Sequence, residues 1–376
     1  MKREIFVHEG ESREICLVED GRLCEYLREN PGERNGDAVY LGKVSRIMPG
    51  MDAAFVDIGQ SRNGFLPLKE KSETFQQQKL QTGDRVLVQV KREAHGEKGA
   101  FLSRDISLIG ETVILMPLNR YIGVSARITD KHAAGRLRMI GEQIAAGRFG
   151  LVLRNAALDL RPALIREEAE SLFEAWEALR REAAVAPAPS RIRSADGVLD
   201  ALLRDYRALG IDRLVTDGET GGLECASEHS ETDPIAAGGY REQRDRALQR
   251  RVNLPGGGNL VIDECEALTV IDVNTAAFTG ARGLERTVWQ VNVEACPEIA
   301  RQIRLRNLSG IIIVDMIDMA GEEDRTAVLQ AMKEALLADR RKTILHGFTS
   351  LGLLEMTRKR LSPSLRETEG IRKDHT

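Results

Sequence analysis

The sequence has no paired cysteines. Its five cysteines, Cys16, Cys24, Cys225, Cys265 and Cys296, form no C-x-x-C pair and are odd in number. That excludes a disulfide framework and a cysteine-rich zinc site. No apolar run reaches the ~18 residues a membrane helix needs, and Met1 to Val7 has too short an apolar stretch for a secretory leader. The expectation is a soluble cytoplasmic protein. Aromatic residues are scarce, at 4%, so each Phe or Tyr on a strand asks for a reason. Excess positive charge is missing too: the net charge is −4, so any nucleic-acid surface must be a local basic patch on a mildly acidic body. The six histidines are scattered and offer no Ser/His or Cys/His spacing. Pro255-Gly256-Gly257-Gly258 lies between strands and opens no helix, which excludes a glycine-loop phosphate cradle. There is no internal repeat.

What is present is a chain of 376 residues, 42% apolar and 30% charged, enough for two or three domains with real cores. Residues 1–35 read as short strands, with Arg13–Glu19 and Arg22–Leu27 flanking the hairpin dipeptide Asp20-Gly21. A lone hairpin is marginal and must pack on something later in the chain. Residues 36–108 carry candidate strands Val39–Ile47, Asp52–Ile58, Gly64–Leu68, Arg85–Arg92 and Ala100–Arg104 between Gly-marked turns. That pattern suits a small Greek-key barrel of the OB type. Residues 109–190 hold strands Thr112–Met116 and Phe149–Arg154, two helices, and a Pro187/Pro189 boundary. The second helix, near Arg166–Arg181, carries Leu172, Phe173, Trp176 and Leu179 on one face. Residues 191–250 mix the helix Leu199–Leu209, the strand Arg213–Thr216 and a polar, mobile-looking loop, Asp217–Tyr240. From 251 strands and helices alternate: Asn259–Asp263, Leu268–Asn274, a helix near Asn292–Arg306, Gly310–Asp315, a helix Arg325–Arg340 and Lys342–Phe348. This predicts an α/β sheet domain. Gly352–Arg360 reads as an amphipathic stretch ending in a basic run, and the chain beyond Ser364 as a frayed tail.

The sharpest signal is Val270-Ile271-Asp272-Val273-Asn274. Alternate strand residues share a face, so Asp272 and Asn274 point one way while Ile271 and Val273 point into the core. About forty residues later the apolar strand Ile311–Val314 ends on Asp315. The helix between makes this a crossover, and open α/β sheets bind ligands outside the carboxyl ends of their strands. Two carboxylates there can hold one hard cation such as magnesium. The competing reading makes both residues loop caps at strand ends, and Asp318 competes as the second ligand. On the barrel, Phe55 and Phe65 are either stacking platforms for bases or barrel core, with Lys43, Arg46, Lys91, Arg92 and Lys98 nearby. Arg154-Asn155 after a strand offers forked hydrogen bonds to a terminal phosphate, or is simply surface. Arg358-Lys359-Arg360 with Arg301, Arg304 and Arg306 reads as phosphate-positioning charge or, more blandly, as solvated faces.

Gly42-Lys43-Val44, Ala53-Ala54-Phe55-Val56-Asp57, Gly64–Leu68, Leu268–Asn274, Arg304-Leu305-Arg306 and Leu353-Leu354-Glu355-Met356 occur here in that order. Together they resemble the bacterial ribonuclease E/G family, from about residue 4 to residue 365. The resemblance implies an α+β multidomain fold. Its parts are an RNase H-like subdomain (1–35 and 191–250), an inserted S1-type OB-fold RNA-binding domain (36–108), a 5′-sensor region (109–190) and a DNase I-like α/β catalytic subdomain (251–365), followed by a tail (366–376). By the same resemblance, Asp272 and Asp315 match magnesium-binding aspartates and Asn274 a catalytic asparagine. Phe55, Phe65 and Lys98 match residues that hold RNA near the cut. Arg154 matches the 5′-monophosphate arginine, with Asn155 where Thr is usual, and Gly110 and Ile114 fall on the pocket wall.

The implied activity is magnesium-dependent hydrolysis of single-stranded RNA, leaving a 5′-phosphate, in rRNA or mRNA processing or decay. The family's C-P-x-C zinc link does not follow Leu361–Leu365, so no zinc link is expected and a homodimer, if formed, is not zinc-linked. Two alternatives stay open: a non-catalytic RNA-binding protein of the same fold, and a DNA-directed metal nuclease.

Overall fold

The computed structural model describes residues 1–29, 36–69, 79–94, 98–219, 227–275, 284–319 and 321–371, with side chains of the helix Leu284–Leu305 described from Val288 onward. The chain divides into two compact units, Met1–Pro31 with Gly210–Thr376, and Gly32–Leu209.

The first unit contains two sheets. One has the strand order Ser227–His229, Arg213–Thr216, Arg3–Glu9, Arg13–Glu19, Arg22–Glu29. Asp20 and Gly21 both have positive φ, 48° and 77°, as a type I′ hairpin requires. The hairpin finds its support in the strand Arg3–Glu9, which pairs in parallel with Arg213–Thr216. The segment Asp217–Tyr240, expected as an open loop, contributes the short parallel strand Ser227–His229 and the helical turn Pro234–Ala237. Asp233 explains the turn: its carboxylate accepts from the backbone N–H of Ile235 and Ala236, and Pro234 occupies the first helical position. Residues 220–226 of that loop lie outside the described residues.

The second sheet runs Arg251–Asn253, Asn259–Glu264, Leu268–Asn274, Gly310–Asp315, Leu354–Arg358, Thr343–Phe348. Among the described residues of this sheet only Leu268–Asn274 and Gly310–Asp315 pair in parallel, because the helix Leu284–Leu305 carries the chain back between them. Ile271, Val273, Ile312 and Val314 are buried in one core with Val291, Ala295, Ile299 and Ile303 of that helix and Val328 and Met332 of the helix Glu322–Leu336. The stretch 352–360, expected as an amphipathic run with a basic end, holds the strand Leu354–Arg358. Leu354, Met356 and Arg358 alternate inward, and the strand inserts between Gly310–Asp315 and Thr343–Phe348. The run beyond Ser364 starts with a capped helical turn, Leu365–Thr368, in which Ser364 and Glu367 form a capping box.

In the second unit, the strands Val39–Met48, Ala53–Asp57, Gly64–Pro67, Phe101–Ser103 and Arg85–Arg92 close into a five-stranded barrel through pairing of the first with the last, as in an OB fold. Its core is small and mostly aliphatic, with Ala54, Val56, Leu66, Val88, Val90 and Leu102 around the buried ring of Tyr40. Gly42 and Gly64 permit the tight closure, since a Cβ there would lie 2.4 Å from Val56 and from Leu102 respectively. The remainder of this unit is a four-stranded sheet, Ile122–Val124, Gly150–Leu153, Val113–Met116, Leu108–Ile109, with the helices Lys131–Ala145 and Pro162–Val185 sharing its core.

Candidate catalytic carboxylates and nucleic-acid interface

Asp272 and Asp315 stand directly opposite each other at the carboxyl ends of neighbouring parallel strands. Adjacent strands lie about 4.8 Å apart, which puts both carboxylates within reach of one cation. Asn274, two residues on and on the same face, donates from Nδ2 to Asp272 Oδ2 at 2.8 Å. Asp272 is half-buried and Asp315 exposed, while Ile271, Val273 and Val314 between them are buried. The donor set is therefore two carboxylates and an amide, all hard oxygen or nitrogen groups, with no thiol or imidazole. Among the described residues no group of three or more His, Cys, Asp or Glu could hold a metal ion. Magnesium, which takes one or two protein carboxylates and keeps its waters, suits such a pair better than calcium or zinc does. Asp318 is exposed on the segment after the strand, outside the register pair.

A residue that sequence reasoning missed holds this end of the sheet. Asn292, fully buried on the helix Leu284–Leu305, pairs its amide with the peptide of Ile317: Nδ2 donates to the Ile317 carbonyl at 2.8 Å and Oδ1 accepts from the Ile317 N–H at 3.1 Å. Met316 and Met319 are buried on either side. The segment after Asp315 is thus anchored to the crossover helix. An Asn on the apolar face of an otherwise amphipathic helix was the available signal, because such a residue must find a partner inside.

The barrel carries a different array. Cross-strand register places Arg46 opposite Phe55, Phe55 opposite Phe65, Phe65 opposite Phe101 and Phe101 opposite Arg92. The three rings stand 6.0 and 5.9 Å apart, and the Arg92 guanidinium lies 4.3 Å from the Phe101 centroid. All three Phe are half-buried, while their strand neighbours Ala54, Val56, Leu66 and Leu102 fill the core. The rings therefore line the outside of the barrel and are not its core. Phe101 was not singled out from sequence, although it lies in the expected strand Ala100–Arg104. Lys98 is exposed close by in sequence, and Lys91 bonds Gln89 and Ser107 instead of standing free.

In the same unit, Arg154 ends the strand Gly150–Leu153 and is held on two sides. Nη1 donates to the Gly110 carbonyl and Nη2 pairs with Asp205 at 2.5 Å. Ile114 lies opposite Val152 on the adjoining strand, and Asn155 opens the next turn. Gly110 is close-packed, since a Cβ would meet Glu168 Oε1 at 2.5 Å. The expected sensor residues Gly110, Ile114, Arg154 and Asn155 thus share one neighbourhood, with Asp205 as an unforeseen member.

The basic cluster expected near the carboxyl terminus divides: Lys359 and Arg360 are exposed and Arg301 is half-buried, but the other three arginines face inward. Arg304, Arg306 and Arg358 are all buried. Arg304 pairs with Glu19 at 2.5 Å, Arg358 pairs with Asp339 at 2.6 Å, and Arg306 bonds Gln302 and the Gln249 carbonyl. Burial pushes the Arg306 guanidinium down to about 10. These arginines are interior struts, because a buried guanidinium with five donors can tie several elements together.

Comparison with known proteins places this geometry. The model of the Ribonuclease E/G family matches residues 107–361, and that of the S1 RNA binding domain matches residues 33–105. The chain belongs to the ribonuclease E/G family. It is 37% identical to Ribonuclease G of Haemophilus influenzae over 383 residues, covering 93% of this chain and 78% of that protein. Identity to Ribonuclease G of Escherichia coli strain K12 is 33%, over 97% of this chain and 81% of that protein. Identity to Ribonuclease E of the same strain is 36%, over 98% of this chain and 38% of that much longer protein. The S1 match coincides with the barrel and its aromatic row, and the ribonuclease E/G match contains both aspartates. Among the described residues no helix is long and apolar enough to cross a membrane.

Proposed function

We propose that this ribonuclease E/G family member is a cytoplasmic, magnesium-dependent endoribonuclease that hydrolyses single-stranded RNA, in rRNA or mRNA processing or decay. The observation that carries the reading is the facing pair Asp272 and Asp315, with Asn274 bonded to Asp272. In this reading both carboxylates hold the ion, and Asn274 fixes the orientation of Asp272 and positions the attacking water or the phosphate. A bound magnesium supplies polarisation of the phosphoryl oxygen and a more acidic water. Hydrolysis leaves a 5′-phosphate on one fragment and a 3′-hydroxyl on the other. The sheets containing Arg3–Glu9 and Leu268–Asn274 are read as the RNase H-like and DNase I-like subdomains of the family.

Phe55, Phe65 and Lys98 are read as the residues that hold RNA on the barrel, and Phe101 joins them because it continues the row. Arg154, with Asn155, Gly110 and Ile114, is read as the site for a 5′-monophosphate. Two of the five guanidinium N–H groups are engaged by Gly110 and Asp205, which leaves a pre-oriented remainder for a phosphate.

The test is cleavage of a labelled single-stranded oligoribonucleotide by the intact chain and by Asp272→Asn and Asp315→Asn, with and without EDTA. Abolished cleavage in both variants and with EDTA supports the reading; undiminished cleavage by either variant overturns it. Binding without any cutting by the unaltered chain would favour the non-catalytic reading, and equal cutting of a DNA oligonucleotide the DNA-directed one. Light scattering on the same samples measures the oligomeric state.

A further inference from the structure

Within the first unit, the free edge of the catalytic sheet opens into a cleft of about 470 Å³ lined by Arg22, Arg246, Arg251 and Arg301, with Glu298 and Gln302. Its charge is unbalanced. Glu298 is its one carboxylate and is shared between Arg22, at 2.5 Å, and Arg301, at 2.6 Å. Arg246 uses only Nε, on the Glu242 carbonyl, and among the described residues the Arg251 side chain has no hydrogen bond or ion pair. Arg22, Arg246 and Arg251 are exposed. Four guanidinium groups around one carboxylate are unusual on a molecule of net charge −4, and they mark a place for an anion.

One arginine of the cleft also shares a cross-strand row with the carboxylate pair. Arg251 is opposite Val261, Val261 opposite Asp272, and Asp272 opposite Asp315. Arg251 therefore starts two strands, about 10 Å, from Asp272 in the same cross-strand row. A polyanion crossing the carboxylates along that row reaches Arg251 at the sheet edge, where the cleft begins. Phosphate contacts of this kind position a strand without reading its bases.

We propose that this cleft is a second RNA-backbone subsite, taking phosphodiester groups of the same strand whose scissile bond lies at Asp272 and Asp315. The proposal rests on the carboxylate reading for the position of the scissile bond, and its test separates the two. Anisotropy titrations use the full chain carrying Asp272→Asn, with and without Arg246→Gln/Arg251→Gln, against single-stranded RNA of graded length at several salt concentrations. Longer oligonucleotides should bind the arginine variant about tenfold more weakly, and the slope of log K against log salt should flatten by about 1.4, as for two lost contacts to a single strand. In the otherwise unaltered chain the same two substitutions should raise KM for long substrates and leave kcat unchanged. An unchanged slope and KM with a normal circular-dichroism spectrum would overturn the subsite while leaving the carboxylates standing. Cleavage that survives Asp272→Asn alongside a flattened slope would do the reverse. Tight binding of polyglutamate with no RNA dependence on the arginines would assign the cleft to an acidic protein and overturn the proposal as well.

Discussion

The sheet end at Asp272 and the outer face of the barrel each align side chains in one cross-strand row, with opposite chemistry. On the sheet the row is Asp272 and Asp315, charged groups at strand ends whose neighbours along the strand are buried aliphatics. On the barrel the row is Phe55, Phe65 and Phe101, rings in short strands, bracketed by Arg46 and Arg92. On the function proposed above, the difference follows from what each row would hold. A cation is a point charge, and holding it needs two oxygens at a fixed separation, so the rigidity comes from an apolar core and from Asn292 clamping the next segment. A base is a flat face, and stacking tolerates sliding, so a row of half-buried rings suffices. Loss of one member should accordingly be catastrophic for the first row and graded for the second.

The largest expected effect is on the carboxylates: Asp315→Asn should lower kcat by about 10²–10³-fold or more, while RNA binding stays within a few-fold. Retained kcat would erase the distinction between the rows. Next comes the clamp. Asn292→Ala leaves the Ile317 N–H and carbonyl without their partner, at about 1–3 kcal/mol for each buried group, measurable by urea denaturation. It should also lower kcat by displacing Asp315. Phe101→Ala should raise KM with little change in kcat, at about 1–3 kcal/mol of binding for the lost stacked base, and Phe65→Ala should behave alike. If only Phe65 matters, the row is not a continuous platform. The smallest effect expected on chemistry is that of Arg358→Ala. Removing one partner of this buried pair should cost about 3–5 kcal/mol of stability while kcat at low temperature is kept.

That pair also sets a pH dependence. Burial pushes the Asp339 carboxyl up, but the Arg358 guanidinium and bonds from the Arg341 N–H and Thr343 hold it below its ordinary value. The group's folded value is therefore lower than its unfolded value of about 3.9. Its contribution is complete above that pH and is lost as the pH falls through the folded value. Urea midpoints measured from pH 6 down to pH 2 should fall more steeply for the unaltered chain than for Asp339→Asn.

How much of this was legible in the sequence depended on whether a residue contradicted its surroundings. Asp272 and Asp315 interrupt apolar strands, so the conflict was visible along the chain, and the alternation around Asn274 placed it on the same face. Phe55 and Phe65 were ambiguous, since a ring suits either side of a strand; only the burial of their strand neighbours Ala54, Val56 and Leu66 decided between them. Arg304, Arg306 and Arg358 were misleading, because a buried arginine and a solvated one look alike in sequence. The partners Glu19 and Asp339 lie 285 and 19 residues away, beyond any local spacing rule. The strand Leu354–Arg358 went unseen for the same reason: its inward Arg358 broke the hydrophobic alternation that would have marked it.

The parallel pairing of the strand Arg3–Glu9 with Arg213–Thr216 has a consequence for how the chain is made. Glu4 and Arg213, joined by an ion pair, lie 209 residues apart. A ribosome adding about 5–20 residues per second emits the amino-terminal hairpin roughly 10–40 s before its partner. During that interval the whole Gly32–Leu209 unit emerges and can close on itself, while the hairpin waits with an unpaired edge. Nascent chains stalled before residue 213 should therefore present that edge to chaperones or to one another, and release of the stall should bury it.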